Sequence, residues 1–265
     1  MKVAINFADD RFKKAQKLNS RTAKLFGGAD KVIEYSPRDI DPVFYSANQS
    51  ILSQKRGGGY WLWKPYFILK TLESLNEGDY LFYCDSGAFY IGSIDHIIKV
   101  MELNGDDIAI FETPLIEREW TNKYLLNELQ CDEDKYLNSN QIAGGYILLK
   151  KSSKSIEFIS EYLRLCCNGA YITDMHTDKG GEVFDHRHDQ SILSLLAKNN
   201  NLTRYKDPSD YGAFPFKYFA KGRLFRVNEY KNDYPVIVIS NRKANPYTYL
   251  IKYYIKVALR KYLVG

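Results

Sequence analysis

Five stretches of this chain hold residue types that could do chemistry. The first is Asp85-Ser86-Gly87, directly after the apolar run Tyr80-Leu81-Phe82-Tyr83-Cys84. A carboxylate at the end of a buried strand can hold Mg²⁺ or Mn²⁺ through oxygen, and such an ion neutralises charge developing on a departing diphosphate. The same Asp could instead cap the turn that follows. Gly87 stands where a second acid would complete an Asp-x-Asp pair. The second stretch, residues 56–65, reads Arg-Gly-Gly-Gly-Tyr-Trp-Leu-Trp-Lys-Pro. Its glycines let backbone N–H groups approach an anion, Arg56 and Lys64 offer charge to a diphosphate, and Trp61 and Trp63 could stack on a base or a sugar ring. The competing reading is a glycine turn with both tryptophans anchored in the core.

The third stretch is His186-Arg187-His188-Asp189-Gln190. A His beside an Asp at a helix start can complete a metal site or contact a phosphate, and Asp189 could face a sugar. Against this stands plain helix capping by Asp189 with exposed histidines. No Cys or third His lies at a spacing that suits zinc. The fourth is Gln141-Ile142-Ala143-Gly144-Gly145-Tyr146, where paired glycines in an apolar strand mean either close approach of another group or a bulge. The fifth is the tail after Asn245-Pro246, a cap followed by a first-turn proline. As a helix it puts Ile251, Tyr254, Ile255, Ala258 and Tyr262 on one side and Lys252, Lys256 and Arg260 on the other. Such a helix can lie on an anionic membrane surface or pack on the domain with a solvated charged face.

Elements must position these residues. Residues 2–7 read as a strand, 10–26 as a helix stopped by Gly27-Gly28, and 32–35 as a second strand. That order favours a parallel sheet with a crossover, and it lacks the G-x-G-x-x-G of dinucleotide binding. Residues 38–55 are partly helical, and a helix follows from Pro65 to Leu75. The apolar runs 80–84 and 108–111 suit central strands covered on both faces. Residues 115–138 read as charged, helical and partly exposed. A strand at 142–149, a helix at 155–167, a loop at Gly180-Gly181, a helix from Gln190 to Lys198 and a strand at 236–239 complete the pattern. In open α/β sheets ligands bind beyond the carboxyl ends of the strands, where Asp85 would sit.

Composition sets the outer limits. The chain has 265 residues, 45% of them hydrophobic and 26% charged, which suits one large α/β domain with a full core. The 22 tyrosines suit wet clefts that stack on sugars, and compositional drift in an AT-rich genome would give the same excess. A net charge of +5 points to anionic partners, and the absence of long Lys/Arg runs before the C-terminus argues against nucleic acid. Cys84, Cys131, Cys166 and Cys167 form no C-x-x-C pair and read as buried thiols in a reducing compartment. Asn6, Asp9 and Asp10 interrupt any signal-peptide pattern, so the chain is expected in the cytoplasm.

Taken in order, the strand–helix–strand opening, residues 57–65, 83–87, 144–146 and 186–190 resemble the bacterial GT-A-type glycosyltransferases of capsule and O-antigen (lipopolysaccharide) biosynthesis. The resemblance covers residues 1–240. It implies a single Rossmann-like GT-A domain with a mostly parallel central sheet, followed by a C-terminal amphipathic helix at 241–265. It implies a nucleotide-sugar donor, UDP-linked, with Mn²⁺ or Mg²⁺. Asp85 then matches the first acid of the metal-binding motif, and Asp189-Gln190 the acidic-Gln pair beside the donor sugar in retaining members. His186 or His188 matches the late metal ligand. Gly87 departs from the pattern and weakens the expected metal site. The donor is expected to rest on Asn6, Phe7, Arg56, Gly59, Trp63, Lys64, Ser86, Gly87, Gly144 and Gly145. The expected reaction is retaining hexosyl transfer to a glycan or lipid-linked saccharide at the inner membrane face. Were it inverting, Glu112 or Asp189 would be the base. The alternatives are a sugar nucleotidyltransferase, against which the loop Ala8-Asp9-Asp10 speaks for want of glycine, and a non-catalytic sugar-nucleotide-binding scaffold.

Overall fold

The computed structural model describes residues 1–176, 183–230, 233–241 and 245–264, with side chains to residue 259. The expected loop at Gly180-Gly181 lies outside the described residues. A six-stranded sheet forms the centre, in the order β2-β1-β3-β6-β5-β7. Its strands are β1 (Lys2–Phe7), β2 (Lys31–Tyr35), β3 (Tyr80–Cys84), β5 (Ile108–Ile116), β6 (Asn140–Lys150) and β7 (Arg204–Lys206). Five run in one direction, and β6 runs against its neighbours β3 and β5. A two-stranded antiparallel ribbon joins β4 (Ala88–Tyr90) to β8 (Val238–Ser240).

The apolar strands are continuous because both faces of the sheet are covered. Val3, Ile5, Leu81, Tyr83, Ile110 and Leu149 face one core. That core is closed by α2 (Trp63–Glu73), α4 (Ser153–Cys166) and α5 (Asp189–Asn199). Ala4, Phe82, Cys84, Phe111 and Leu148 face the other core. Here α1 (Lys13–Leu25), α3 (Asp95–Asn104) and the β4–β8 ribbon form the cover. The alternation follows from the two-residue period of a strand. Cys84, Cys131 and Cys166 are buried free thiols.

Several elements differ from expectation. β5 runs on to Ile116 rather than ending at residue 111, and residues 115–138 are not one exposed helix. Two short helices lie there, Lys123–Glu128 and Asp134–Leu137, while Glu117, Glu119, Thr121 and Asn122 are buried. Their polarity misleads because Glu117 is neutralised inside the fold by Lys198 at 2.5 Å, with Gln141 adding a hydrogen bond at 3.2 Å. β4, β7 and α3 were not anticipated. β4 and β7 have three residues each, too few for a period to show. The last helix, α6 (Pro246–Val264), is capped as its sequence suggests, with Asn245 Oδ1 accepting from Tyr247 N at 3.0 Å. It packs through Tyr249, Leu250, Tyr253 and Val257 against Phe89 and Ile239.

Candidate active site

Because β1 and β3 are parallel and adjacent, their carboxyl ends open on the same edge of the sheet. Phe7 ends β1 there, and Asp85 follows Cys84 one strand over. The antiparallel β6 brings Gly144-Gly145 past the same point, and Asp85 N donates to Gly145 O at 2.9 Å. A cleft of about 490 Å³ opens above these residues. Phe7, Trp61, Trp63, Lys64, Asp85, Ser86, Gly87, Gly144, Gly145, Asp189 and Gln190 line it, with Arg56, His186 and His188.

Both open readings of the paired glycines hold. The β5–β6 register jumps between Ile110↔Ile147 and Glu112↔Ile142, so the strand bulges at the glycines. A Cβ at Gly144 would stand 2.9 Å from Gln190 Cβ, and one at Gly145 would stand 3.3 Å from Asp85 Oδ2. The close approach is that of the site's own side chains.

Asp85 is half-buried, and its Oδ1 accepts from Tyr83 OH at 2.6 Å. The turn after it is closed by the main chain, Ala88 N to Asp85 O at 3.0 Å. Burial and then the Asp85 charge push the Tyr83 hydroxyl well up, so it stays protonated as a donor. Lys64 Nζ lies over the Tyr83 ring, 5.5 Å from its centroid. The same Nζ donates to Asp189 Oδ2 at 2.6 Å and to Gly144 O at 2.8 Å. Tyr162 OH also donates to Asp189 Oδ2, at 3.1 Å. Burial pushes the Asp189 carboxyl up, and Lys64 opposes it.

This arrangement corrects the reading of Asp189 as a cap. It is the first residue of α5, and its carboxylate turns back to Lys64 and Tyr162; no side chain caps this helix. Lys64 is corrected too. Its ammonium is buried and committed to Asp189 and Gly144, so it holds the site together instead of presenting charge to a diphosphate. Gln190 Nε2 donates to Gln141 Oε1 at 2.8 Å, and Gln141 Nε2 donates to Glu117 Oε1 at 3.2 Å. The Gln190 amide is thereby oriented from behind.

The glycine loop divides its residues. Gly57, Gly58, Gly59, Tyr60 and Trp61 all have positive φ, a tight left-handed turn in which glycine relieves strain. Trp63 belongs to the core, stacked on Phe7 with centroids 3.8 Å apart, and its Nε1 donates to Gly57 O at 2.9 Å. Trp61 stays on the cleft wall beside His188, with ring centroids 5.4 Å apart. Gly59 is at the back of the turn, where a Cβ would meet Leu52 Cα at 2.7 Å, and it does not line the cleft. Asn6 also turns away, donating to Asn19 Oδ1 at 2.8 Å and Ser20 Oγ at 3.0 Å. Arg56 is exposed and pairs with Asp174 at 3.2 Å and Asp185 at 3.1 Å.

The two histidines are buried, not exposed. His186 Nε2 donates to Tyr171 O at 2.8 Å while Nδ1 faces Asn122 N–H at 3.4 Å, so both nitrogens are engaged. Burial first, then His188, push its pKa down to about 4. His188 has φ 54° and ψ −119°, and its Nδ1 donates to Ile172 O at 2.8 Å. Its Nε2 has no hydrogen-bond partner and stands 3.9 Å from Asp174 Oδ1. Burial lowers this pKa as well. Of the two, His188 has the open lone pair. Among the described residues no group of three His, Cys, Asp or Glu side chains could hold a metal ion. Of the expected ligands, Asp85 and the open His188 Nε2 both line the cleft, and a divalent ion held there would draw its remaining ligands from a bound diphosphate and water.

Sequence reasoning missed the cations at the mouth. Arg11 and Lys55 line the cleft, and Arg11 pairs with Asp9 at 2.6 Å. Arg11 belongs to the loop beyond β1, not to the helix, and that position at a strand's carboxyl end was the available signal. Glu112, considered as a base, lies elsewhere. It lines a second cleft of about 680 Å³ at the ends of β5 and β7, with Tyr211, Tyr218, Tyr230 and Asn228. There Glu112 accepts from Asn228, from Tyr230 at 3.3 Å and from Arg204 at 3.4 Å.

No protein-family profile matches the chain, and no curated protein matches it in sequence. Solved structures do match in shape. The apo form of the bifunctional glycosyltransferase WbbM superposes with a TM-score of 0.50 at 11% identity, over 91% of this chain and 46% of that one. The galactosyltransferase LgtC, in complex with donor and acceptor sugar analogues, gives 0.48 at 15% identity over 93% and 88%. Mouse xyloside xylosyltransferase 1 gives 0.48 at 9% over 93% and 98%. The architecture is that of a GT-A domain. At these identities the GT-A likeness speaks for the fold alone, and the chemistry rests on the cleft.

Proposed function

We propose that the chain is a glycosyltransferase that moves a hexose from a nucleoside diphosphate sugar to a saccharide acceptor, with retention of configuration. One observation carries this reading. Asp85 and the Asp189-Gln190 pair, 104 residues apart in sequence at the least, meet over Gly144-Gly145 in a single cleft whose mouth holds Arg11, Lys55 and Arg56. Cations there suit the diphosphate, and preorganised charge where negative charge develops is usually the largest single contribution to such catalysis. Trp61 offers a face to the base or sugar. Gln190, oriented by Gln141, presents its amide beside the donor sugar.

Retention is supported by where the two candidate bases lie. Asp189 is tied to Lys64 and Tyr162, and Glu112 sits in the second cleft, held by three donors. Neither is poised to take a proton from an acceptor hydroxyl beside Asp85. Asp189 acts through Lys64, which its charge holds against Gly144. A divalent ion on Asp85 would neutralise charge on the leaving diphosphate. The second cleft, rich in tyrosine and placed on the same sheet edge, suits the acceptor glycan. Uridine as the base, and a role in capsule or O-antigen assembly, follow from the sequence resemblance.

The test is hydrolysis of a panel of sugar nucleotides by the wild type, Asp85→Asn and Gln190→Ala. A loss of about 100- to 1000-fold in turnover is expected for Asp85→Asn. Equal turnover in all three proteins would sink the assignment. The scaffold reading keeps one specific support, the lack of a three-ligand metal group among the described residues. Tight binding of a sugar nucleotide with no turnover across acceptors would favour it. Pyrophosphate release from a nucleoside triphosphate would instead favour the nucleotidyltransferase.

A further inference from the structure

The positive charge of this chain is unevenly spread. Helix α1 carries five cations and α6 carries four, and neither helix contains an Asp or Glu. The whole chain has a net charge of +5, so the remainder is net acidic. On α1, Lys14, Lys17, Arg21 and Lys24 are exposed. Their spacings of three, four and three put them on one face. None of the four forms an ion pair among the described residues; Lys13 does, with Glu34 at 3.2 Å.

Apolar side chains stand exposed beside this stripe. Leu25 is 60% exposed and Phe26 56%. On α6, Tyr253 is turned into the domain, while Ile251, Tyr254, Ile255 and Leu259 face outward, each more than half exposed. Between the two helices runs an apolar groove of about 340 Å³, walled by Leu18, Leu25 and Phe26 from α1 and its end, and by Leu250 and Tyr254 from α6. Arg21 stands at its edge. Soluble surfaces scatter such side chains singly; a contiguous set rimmed by cations marks an interaction face.

We propose that α1 and α6 together form one platform that docks on a bilayer of anionic phospholipid. The cations of α1 meet the lipid phosphates. The outward face of α6 and the end of α1 enter the interface, and the groove between them takes an acyl segment. Cations beside exposed Tyr, Leu, Ile and Phe match both layers of such a surface, whereas an acidic protein would match the cations alone. The loop that leads into α1 lines the cleft through Asp9, Arg11 and Phe12. Docking would therefore hold the cleft within about 20 Å of the bilayer, one length of α1. The use of this platform, bringing the enzyme to a lipid-linked acceptor, rests on the transferase reading; the docking itself does not.

Co-sedimentation of the full chain with phosphatidylcholine vesicles, with and without phosphatidylglycerol, tests the platform. Binding is expected to need the anionic lipid. Lys17→Gln/Arg21→Gln should lower the partition coefficient roughly 25-fold with α6 untouched, since each basic residue near such a surface contributes roughly fivefold. Leu25→Ser/Phe26→Ser should lower it roughly tenfold. Both double variants lie outside the cleft and should keep wild-type donor hydrolysis in solution, which also reports that they fold. Unchanged binding by Lys17→Gln/Arg21→Gln would overturn the role of α1. Equal binding to neutral vesicles would overturn the electrostatic part, and no vesicle binding at all would overturn the platform. Vesicle binding without any donor turnover would instead count against the transferase reading and leave the platform standing.

Discussion

Lys64 and Asp189 show how much of this site is one buried charge pair. Both side chains are about 4% exposed, and Nζ meets Oδ2 at 2.6 Å. Removing one partner strands the other's charge, which costs about 3–5 kcal/mol. Lys64→Met should lose that much in urea unfolding, and Lys64→Met/Asp189→Leu should recover most of it. The deficit should depend on pH. Without Lys64 the folded pKa of Asp189 rises further above its unfolded value. The folded state then holds a proton that the unfolded chain has released, so stability falls as pH rises through that interval. The Lys64→Met deficit should shrink as pH drops toward 4. His186 works in the opposite sense. With its pKa near 4 in the fold, against an ordinary 6.5, it is neutral where the unfolded chain is charged. Stability should fall as pH drops from 6.5 through 4, by up to about 3 kcal/mol from this residue. In His186→Gln that part of the acid dependence should vanish; an unchanged pH profile would mean His186 is not buried neutral.

At the scale of elements, the bulged strand β6 and the glycine turn do the positioning. Gly144→Ala sets a methyl 2.9 Å from Gln190 Cβ, closer than real contacts allow. It should cost about 1–3 kcal/mol in stability. It should also displace Gln190, lowering kcat for donor hydrolysis more than it raises KM. Gly59→Ala meets backbone at Leu52 and sits at φ 97°, so the neighbour has no side chain to swing aside. Its cost should exceed about 2 kcal/mol with little effect on the chemistry of the folded fraction, because Gly59 does not line the cleft. Comparing the two by thermal melts and single-turnover rates separates strand positioning from turn strain. Paired glycines in the sequence pointed to either a close approach or a bulge, but which groups approach could not be read from them. Gln190 and Asp85 reach Gly144 and Gly145 from α5 and β3, and neither contact has a local signature.

At the scale of the molecule, both clefts are lined by strands of one mixed sheet or the residues that follow them. A donor that binds only the folded state should stabilise it by about 2.7 kcal/mol at a hundred times its dissociation constant. That is a rise of roughly 5–10 °C in Tm for a chain of this size, and the true donor should stand apart from other sugar nucleotides by that measure. Mn²⁺ alone should move Tm little, since Asp85 offers few ligands by itself, and should add to the shift when the donor is present. No helix among the described residues is long and apolar enough to cross a membrane. The sequence by itself determined the strands β1, β3 and β6, the edge at which Asp85 lies, and the capped start of α6. These rest on apolar runs, turn residues and caps, which act within a few residues. Only the tertiary structure decided that Lys64 serves Asp189, 125 residues away, that Trp63 stacks on Phe7 while Trp61 stacks beside His188, that Arg11 faces the cleft, and that α6 turns Ile251 and Tyr254 outward. Each of those outcomes is set by a partner distant in sequence, and side-chain type alone does not carry the partner's position.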